Sequence, residues 1–384
     1  MRRIIKSAPS PRSRRARGVT LVELLVAMVI SLIAITAIFQ VYSVFEEQKR
    51  TTMGGGEAQT NGALALFTLE RELRQSGYGI NSPDYLGCTT RGWDDLPPKG
   101  FFNPPLTLAP VQITQGAGEA PDTLTVLYGN GNLIPQAVNL IQTMAAWQDP
   151  YRVANRFGYQ EGDVLILAET GLDCTVAQVT GLSLVPGQQD LVVHDTSNYI
   201  DPVSGANTVP RYNKPGAPAL LDVMYTFNGK VFNLGPSPSY NIYTISLGPD
   251  GIWRTSDDVN QLALQQILSA ASNAVTTIYD GIVQLQAQYG RDTNADGIID
   301  VFDEFVPATA ADWTTILAVR IGVVSRSALY EKTEVSPATI KLWEDSALAP
   351  TTIGPVWTLT ADERHYRYKV FRTVVPIRNM IWRP

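Results

Sequence analysis

The stretch RGVTLVELLVAMVISLIAITAIF, residues 17–39, decides how the rest of the chain is read. As a helix, Val19 to Phe39 covers about 31 Å, roughly one bilayer core. Glu23 lies near its start, and a carboxylate in hydrocarbon costs about 2.5 kcal/mol or more. Something has to offset that charge. Seven basic residues precede the run (Arg2, Arg3, Lys6, Arg12, Arg14, Arg15 and Arg17), with no acid among residues 1–17. By the positive-inside rule such a flank keeps the N-terminus in the cytoplasm and exports the chain beyond the apolar run.

A secretory signal carries its small-residue cleavage site after the apolar stretch. Here the chain continues as VYSVFEEQKR, residues 41–50, which reads as more helix, and the small residue, Gly18, comes first. Arg17-Gly18-Val19-Thr20-Leu21-Val22-Glu23-Leu24 resembles the processing site of type IV prepilins and pseudopilins. The resemblance implies cleavage after Gly18 by the prepilin peptidase and methylation of Val19. It also implies that Glu23, fifth in the mature chain, pairs with the N-terminal amine of a neighbouring subunit. A buried carboxylate facing an opposite charge is far less costly than one alone, so Glu23 reads as an assembly device.

The whole chain has 384 residues, 45% of them hydrophobic, and a net charge of −6. Beyond residue 17 there are 23 basic against 36 acidic residues, a balance of −13. That acidity gives no support to nucleic-acid binding, which needs a basic face for phosphates. Cys88 and Cys174, once exported, sit where a disulfide is stable; their spacing fits no zinc knuckle, and the alternatives are one bridge or two buried thiols.

No proline occurs between Val19 and Ile80. Gly54-Gly55-Gly56 interrupts the run, either as a melted joint in one long helix or as a loop between two. ALFTLERELRQSGYGI, residues 65–80, then resumes a helical pattern through Leu66, Leu69 and Leu73, and Gly77 and Gly79 end it. The expected organisation is a leader over 1–18, a helix over 19–80 with its membrane segment at about 19–42, and a β-rich head over 81–384.

Apolar, β-branched runs at 122–131, 162–169, 174–181 and 190–195 predict strands. Asn228-Gly229 within 223–234 predicts a hairpin, 261–275 a second short helix, and 313–327 and 365–379 the closing strands, the last marked as an edge or strand end by Pro376. Pro- and Gly-rich loops are expected over 82–121 and 196–220. The fold class is therefore α+β: a long N-terminal helix, its lower half membrane-embedded, packed on an antiparallel sheet with large loop insertions. LFTLERELRQSGYGI at the helix end resembles PilW-like minor pilins, and so does the order IVQLQAQYGRDTNADG, WTTILAVRIGVVSRS, YRYKVFRTVVPIRN.

Two acidic loops are candidate calcium sites. In Asp292-Thr-Asn294-Ala-Asp296-Gly297-Ile298-Ile-Asp300, side-chain oxygens fall at positions 1, 3, 5 and 9, with a glycine at 6 and the Ile298 carbonyl at 7, as in EF-hand-type loops. Asp303 stands where those loops carry a bidentate Glu. The alternative is a run of Asx turns that binds nothing. GPDGIWRTSDDVN, residues 248–260, offers Asp250, Asp257 and Asp258, and resembles loops of some pilins and pseudopilins that hold calcium; Arg254 sits where a small residue is common and could replace the metal.

Enzyme chemistry has little support. His194 and His365 lack a serine elbow, metal-ligand spacing or phosphate loop beside them. The resemblance implies a minor type IV pilin, not an enzyme, held in the inner membrane with its head outside. Its partners would be other major and minor pilins, the prepilin peptidase and methylase, and the pilus assembly platform. A minor pseudopilin of a type II secretion system, resembling the J-type component, and a calcium-dependent adhesin on a pilin anchor are the alternatives.

Overall fold

A computed structural model of the chain describes residues 18–80, 82–131, 136–214, 216, 221–255, 258–269, 273–343 and 356–380. The basic leader through Arg17, and Asp257 of the second acidic loop, lie outside the described residues. The chain divides into two compact units at Met53/Gly54.

One helix is assigned over Leu21–Gln75. It opens on a reciprocal cap: the Glu23 N–H donates to Thr20 Oγ1 at 3.2 Å, and the Thr20 N–H donates to Glu23 Oε2 at 3.2 Å. In the first unit, Leu21–Glu46 is apolar and, at 26 residues, long enough to cross a membrane. Its side chains, Val22, Leu25 and Ile30 among them, are exposed.

Gly54, Gly55 and Gly56 are all helical, so neither the expected joint nor a loop is formed there. Each glycine costs about 1 kcal/mol against alanine in a helix. Tertiary packing offsets this within the second unit. Gly54 is buried beside Ser327 and Leu329, and Ser325 Oγ donates to the Ala58 carbonyl at 2.7 Å. Further along, Ala65, Leu69 and Leu73 are fully buried and Leu66 half-buried, so the anticipated stripe is the one that packs. Each buried leucine contributes about 2 to 3 kcal/mol. The helix stops where Gly77 takes a φ of +80°, which only glycine adopts at low cost, and Asn379 Nδ2 caps the Ser76 carbonyl at 2.8 Å.

Three of the seven sheets among the described residues are large and build the head. A four-stranded sheet runs Val301–Asp303, Ile282–Arg291, Ile316–Arg326, Tyr368–Pro376, antiparallel throughout. The strand carrying Pro376 is indeed an edge. A five-stranded sheet runs Thr276–Asp280, Gln261–Gln266, Ser239–Ile245, Thr123–Tyr128, Val111–Thr114. The helix and these two sheets share one core, cross-tied by Tyr289, whose hydroxyl accepts from the Ile113 N–H at 2.8 Å and donates to the Val111 carbonyl at 3.2 Å. A six-stranded sheet runs Leu106–Leu108, Cys88–Arg91, Cys174–Gln178, Val164–Ala168, Lys230–Gly235, Val138–Asn139. All described strand pairs are antiparallel except Cys88–Arg91 against Cys174–Gln178.

Three expectations change. Residues 261–266 form a strand, not a helix: both neighbouring strands offer them a hydrogen-bond ladder, and that context overrides a weak helical pattern. At Asn228-Gly229 there is a turn, with the Gly229 N–H donating to the Thr226 carbonyl at 2.9 Å, but only its C-terminal arm is a strand. That arm pairs with Val164–Ala168 instead of folding back on 223–226. Finally, the expected 82–121 loop contains the strands Cys88–Arg91, Leu106–Leu108 and Val111–Thr114.

Candidate functional site

The N-terminal motif lies at the start of the apolar helix. Gly18 and Val19 are exposed, and a Cβ built on Gly18 meets nothing within 4 Å. Packing therefore does not ask for glycine at 18. Glu23 is exposed too, and Thr20 holds its carboxylate: besides the backbone cap, Thr20 Oγ1 donates to Glu23 Oε2 at 3.3 Å. A Thr-x-x-Glu signature in the sequence was the available signal for this cap.

The Asp292 loop is closed on itself. Asp292 Oδ1 accepts from the Ala295 N–H at 2.6 Å, and its Oδ2 accepts from the Gly297 N–H at 2.7 Å. Ala295 and Gly297 take positive φ values of 66° and 90°, which lets successive N–H groups turn inward. The Asn294 amide nitrogen lies 3.2 Å from Asp296 Oδ2 and 3.3 Å from Asp300 Oδ1, so these three side chains converge. Hydrogen bonds from Thr293 hold the exposed Asp300 carboxyl below the usual carboxylate range. The Ile298 N–H donates to Asp296 Oδ1 at 2.7 Å, and its side chain is exposed.

Asp303 does not join them. Arg291 takes it in a two-pronged pair, Nε to Oδ1 at 3.0 Å and Nη2 to Oδ2 at 2.5 Å, because the two residues sit on paired strands where the Arg reaches the carboxylate first. Among the described residues no group of three or more His, Cys, Asp or Glu is spaced to hold a metal.

The second loop is organised by Arg254. Its guanidinium lies 3.4 Å from Glu119 Oε2 and 3.2 Å from Glu363 Oε2, donates to the Thr358 carbonyl, and covers the Trp253 ring at 4.5 Å. Asp258 accepts from the Arg254 N–H at 2.8 Å, whereas Asp250 accepts locally from the Ile252 N–H at 2.8 Å. The cation thus binds carboxylates of other segments, Glu119 and Glu363.

Cys88 and Cys174 form a disulfide, with Cα atoms 5.9 Å apart on the neighbouring parallel strands. His194 stacks on Tyr151 with ring centroids 3.8 Å apart, its Nε2 donating to the Asp149 carbonyl at 2.9 Å. Burial pushes its pKa down to about 4, so the ring is neutral at pH 7. It lines a cavity of about 320 Å³ with Trp147, Asp195, Asn213 and Lys214. His365 Nδ1 donates to the Glu331 carbonyl at 2.8 Å while the ring stacks on Tyr330. Neither imidazole faces a nucleophile with that nitrogen.

Several buried charged residues escaped the sequence reading, Glu72 and Arg320 among them. Glu72 lies on the packed face of the helix, between Leu69 and Leu73, and its position in that stripe was the only signal. Arg320 lies inside the Ile316–Arg326 strand and is 8% exposed.

Comparison with known families bears on both ends of the chain. Residues 13–39 match the prokaryotic N-terminal methylation motif, and residues 242–379, about a third of the chain, match the type IV pilus-assembly protein W family, PilW. The chain is similar to PilW over that C-terminal region and carries a prepilin-type N-terminal methylation motif. No curated protein and no solved structure matches it. In this PilW-like chain the matched region holds the four-stranded sheet against which the helix packs, together with the Asp292 and Arg254 loops. Residues 82–241, with the disulfide and the His194 cavity, lie outside both matches. Both matches describe pilus-assembly or prepilin components; they support a pilin-like pilus-assembly subunit, the apolar helix suggests membrane anchoring, and the motif implies contact with other pilins and the prepilin peptidase.

Proposed function

We propose that the chain is a minor type IV pilin of PilW type, without catalytic activity, cleaved after Gly18, methylated at Val19 and held in the inner membrane with its head outside. Its helix packs laterally among other pilins, and Glu23 meets the amine of a neighbouring subunit. The observation that carries the reading is the cleavage motif at the mouth of an exposed apolar helix of bilayer length, followed by a PilW-matching sheet. A head of this bulk suits the pilus tip or an initiating complex better than repetition along a shaft. We further propose that Asp292, Asn294, Asp296 and Asp300 take calcium, a hard cation that needs oxygens converging from a sharply turned backbone; the mutual approach of Asn294, Asp296 and Asp300 supports that reading.

Mass spectrometry of the N-terminal peptide tests the central claim. Methylated Val19 in the native host, absent from a strain lacking the prepilin peptidase, is expected; an intact leader in both strains overturns it. Deletion of the gene is expected to abolish pili while protein secretion continues. The reverse pattern moves the chain to a type II secretion system.

A further inference from the structure

The cavity that His194 lines measures about 320 Å³, within the range of about 300 to 1,000 Å³ at which proteins hold small molecules. Its buried lining is Tyr151 with Thr175, Val176 and Ala177, on the strand that Cys174 ties to Cys88. Its outer lining is the half-buried Trp147 with Gln148, Asp195 and Thr196, all three exposed. An indole and a set of hydrogen-bonding groups therefore meet at the mouth.

The walls are fixed by bonds of their own. Asp149 Oδ2 accepts from the Ala145 and Ala146 N–H groups at 2.9 and 2.8 Å, which closes the turn that carries Trp147 and Gln148. The Asp149 carbonyl takes the His194 Nε2 bond, fastening that turn to the next wall. Asn213 Oδ1 accepts from the Gln178 N–H at 2.8 Å, and its Nδ2 donates to the Gln178 and Asp195 carbonyls, each at 2.7 Å. A site ordered in advance spares its ligand that cost.

Charge does not select the occupant. Lys214 and Asp195 are the charged residues of the described lining, and both are engaged. Lys214 Nζ lies over the Trp93 and Phe101 rings, 5.5 and 5.2 Å from their centroids, and Asp195 Oδ1 accepts from Thr180 Oγ1 at 2.8 Å and the Ser197 N–H at 2.9 Å. Residues 215–220, PGAPAL, add no charge.

We propose that this cavity binds the end of a neutral, hexose-based oligosaccharide, a sugar ring lying against Trp147 with its hydroxyls at Gln148 and Thr196. A sugar ring combines an apolar C–H face with a rim of hydroxyls that donate and accept. The cavity answers with an indole beside an amide and a hydroxyl, which have the same double capacity. The site lies outside both family matches, so the property belongs to the part of the chain that those matches do not cover. It stands on the cavity alone and does not need the filament reading.

The test uses the full-length chain in a detergent without a sugar headgroup, lauryldimethylamine oxide, and isothermal titration calorimetry. The neutral probes are maltohexaose, cellohexaose and chitohexaose, and the charged probe is hexagalacturonate. Expected is saturable binding of at least one neutral probe, weakened about tenfold or more by Trp147→Ala and measurably by Gln148→Ala. Leu184→Ala, at an exposed residue outside the lining, should leave it unchanged. Gln148 is exposed, so its variant keeps the test open should Trp147→Ala fail to fold. Absence of binding by every neutral probe overturns the proposal. So does binding that both cavity variants leave untouched, or binding of hexagalacturonate alone.

Discussion

Asn241 Nδ2 donates to Glu72 Oε2 at 2.8 Å, joining the helix to a strand 169 residues away at a point where both side chains are buried. Tyr128 donates to the same oxygen at 3.0 Å, and Arg71 approaches the other at 3.4 Å. Removing the carboxylate takes the acceptor from the buried Asn241 amide and the half-buried Tyr128 hydroxyl. Glu72→Ala should therefore destabilise the head by about 2 to 4 kcal/mol, and Glu72→Gln, which keeps an acceptor, by about 1 kcal/mol. Denaturant titration of the detergent-solubilised chain measures both; equal losses would show that the hydrogen bonds contribute little.

Glycines along the helix should divide by what surrounds them. A Cβ on Gly62 would lie 2.2 Å from Phe371 Cε2 and 2.8 Å from Ser325 Oγ, so Gly62→Ala forces the sheet away and should cost about 1 to 3 kcal/mol. On Gly55 a Cβ meets nothing within 4 Å, and Gly55→Ala should stabilise by about 0.5 to 1 kcal/mol through helix propensity alone. Thermal melts of the two variants should move in opposite directions.

The two motif residues should fail at different steps. Gly18→Ala is accepted by the fold, so retention of the leader, read by mass, would place the requirement in the peptidase. Glu23→Ala should be cleaved normally yet reach sheared pili at about a tenth of the wild-type level or less, as expected when a buried amine loses its only opposite charge. Thr20→Ala separates the roles: it removes the cap, worth about 1 kcal/mol, but keeps the carboxylate, and incorporation should stay near wild type.

Asp122 sets a pH dependence. It is 2% exposed, accepts from the Gly116 N–H at 2.9 Å and the Ala287 N–H at 2.8 Å, and burial raises its pKa to about 7. A carboxyl that holds its proton more tightly when folded makes the native state bind more protons between about pH 4 and pH 7. Its contribution is therefore greatest below the unfolded pKa and is lost as pH rises through 7. Comparing wild type with Asp122→Asn should show a melting temperature that falls more steeply over that interval in the wild type; parallel curves would remove Asp122 as the cause.

Calcium should raise the melting temperature of the chain, by an amount equivalent to about 2.7 kcal/mol when the free ion is a hundredfold above Kd. Asp296→Ala should abolish the shift, and Asp303→Ala should leave it, since Asp303 is engaged by Arg291. Melts that do not respond in wild type would assign the loop to Asx turns alone.

Legibility in the sequence tracked the range of the interactions involved. Local patterns read well: the helical stripe through Leu69 and Leu73, the strand at Val164–Ala168, and the edge marked by Pro376 each depend on neighbours a few residues apart. Gln261–Gln266 was misread because its strand state is fixed by partners at 239–245 and 276–280, which no window around it reveals. The triple glycine failed for the same reason, its helix being held from outside by Ser325 and its neighbours. At the candidate sites the ligand-like residues were found, but their actual partners were not: Arg291 takes Asp303 and Arg254 takes Glu119 from 135 residues away. Glu72 and Arg320 went unseen because a charge in a strand or helix shows its burial only after the sheets are assembled.

The bridge between Cys88 and Cys174 has a mechanical consequence. A pull along the helical residues 54–75 would pass by shear into the head through the contacts at Gly62, Ser325 and Asn379, and so into the long strands at 316–326 and 368–376. The 86-residue separation between the cysteines lies off this path and is closed covalently at its base. Under tension the chain between them cannot pay out as slack, so a head whose sheets are sheared apart yields a contour length shorter by the segment that the bridge closes off.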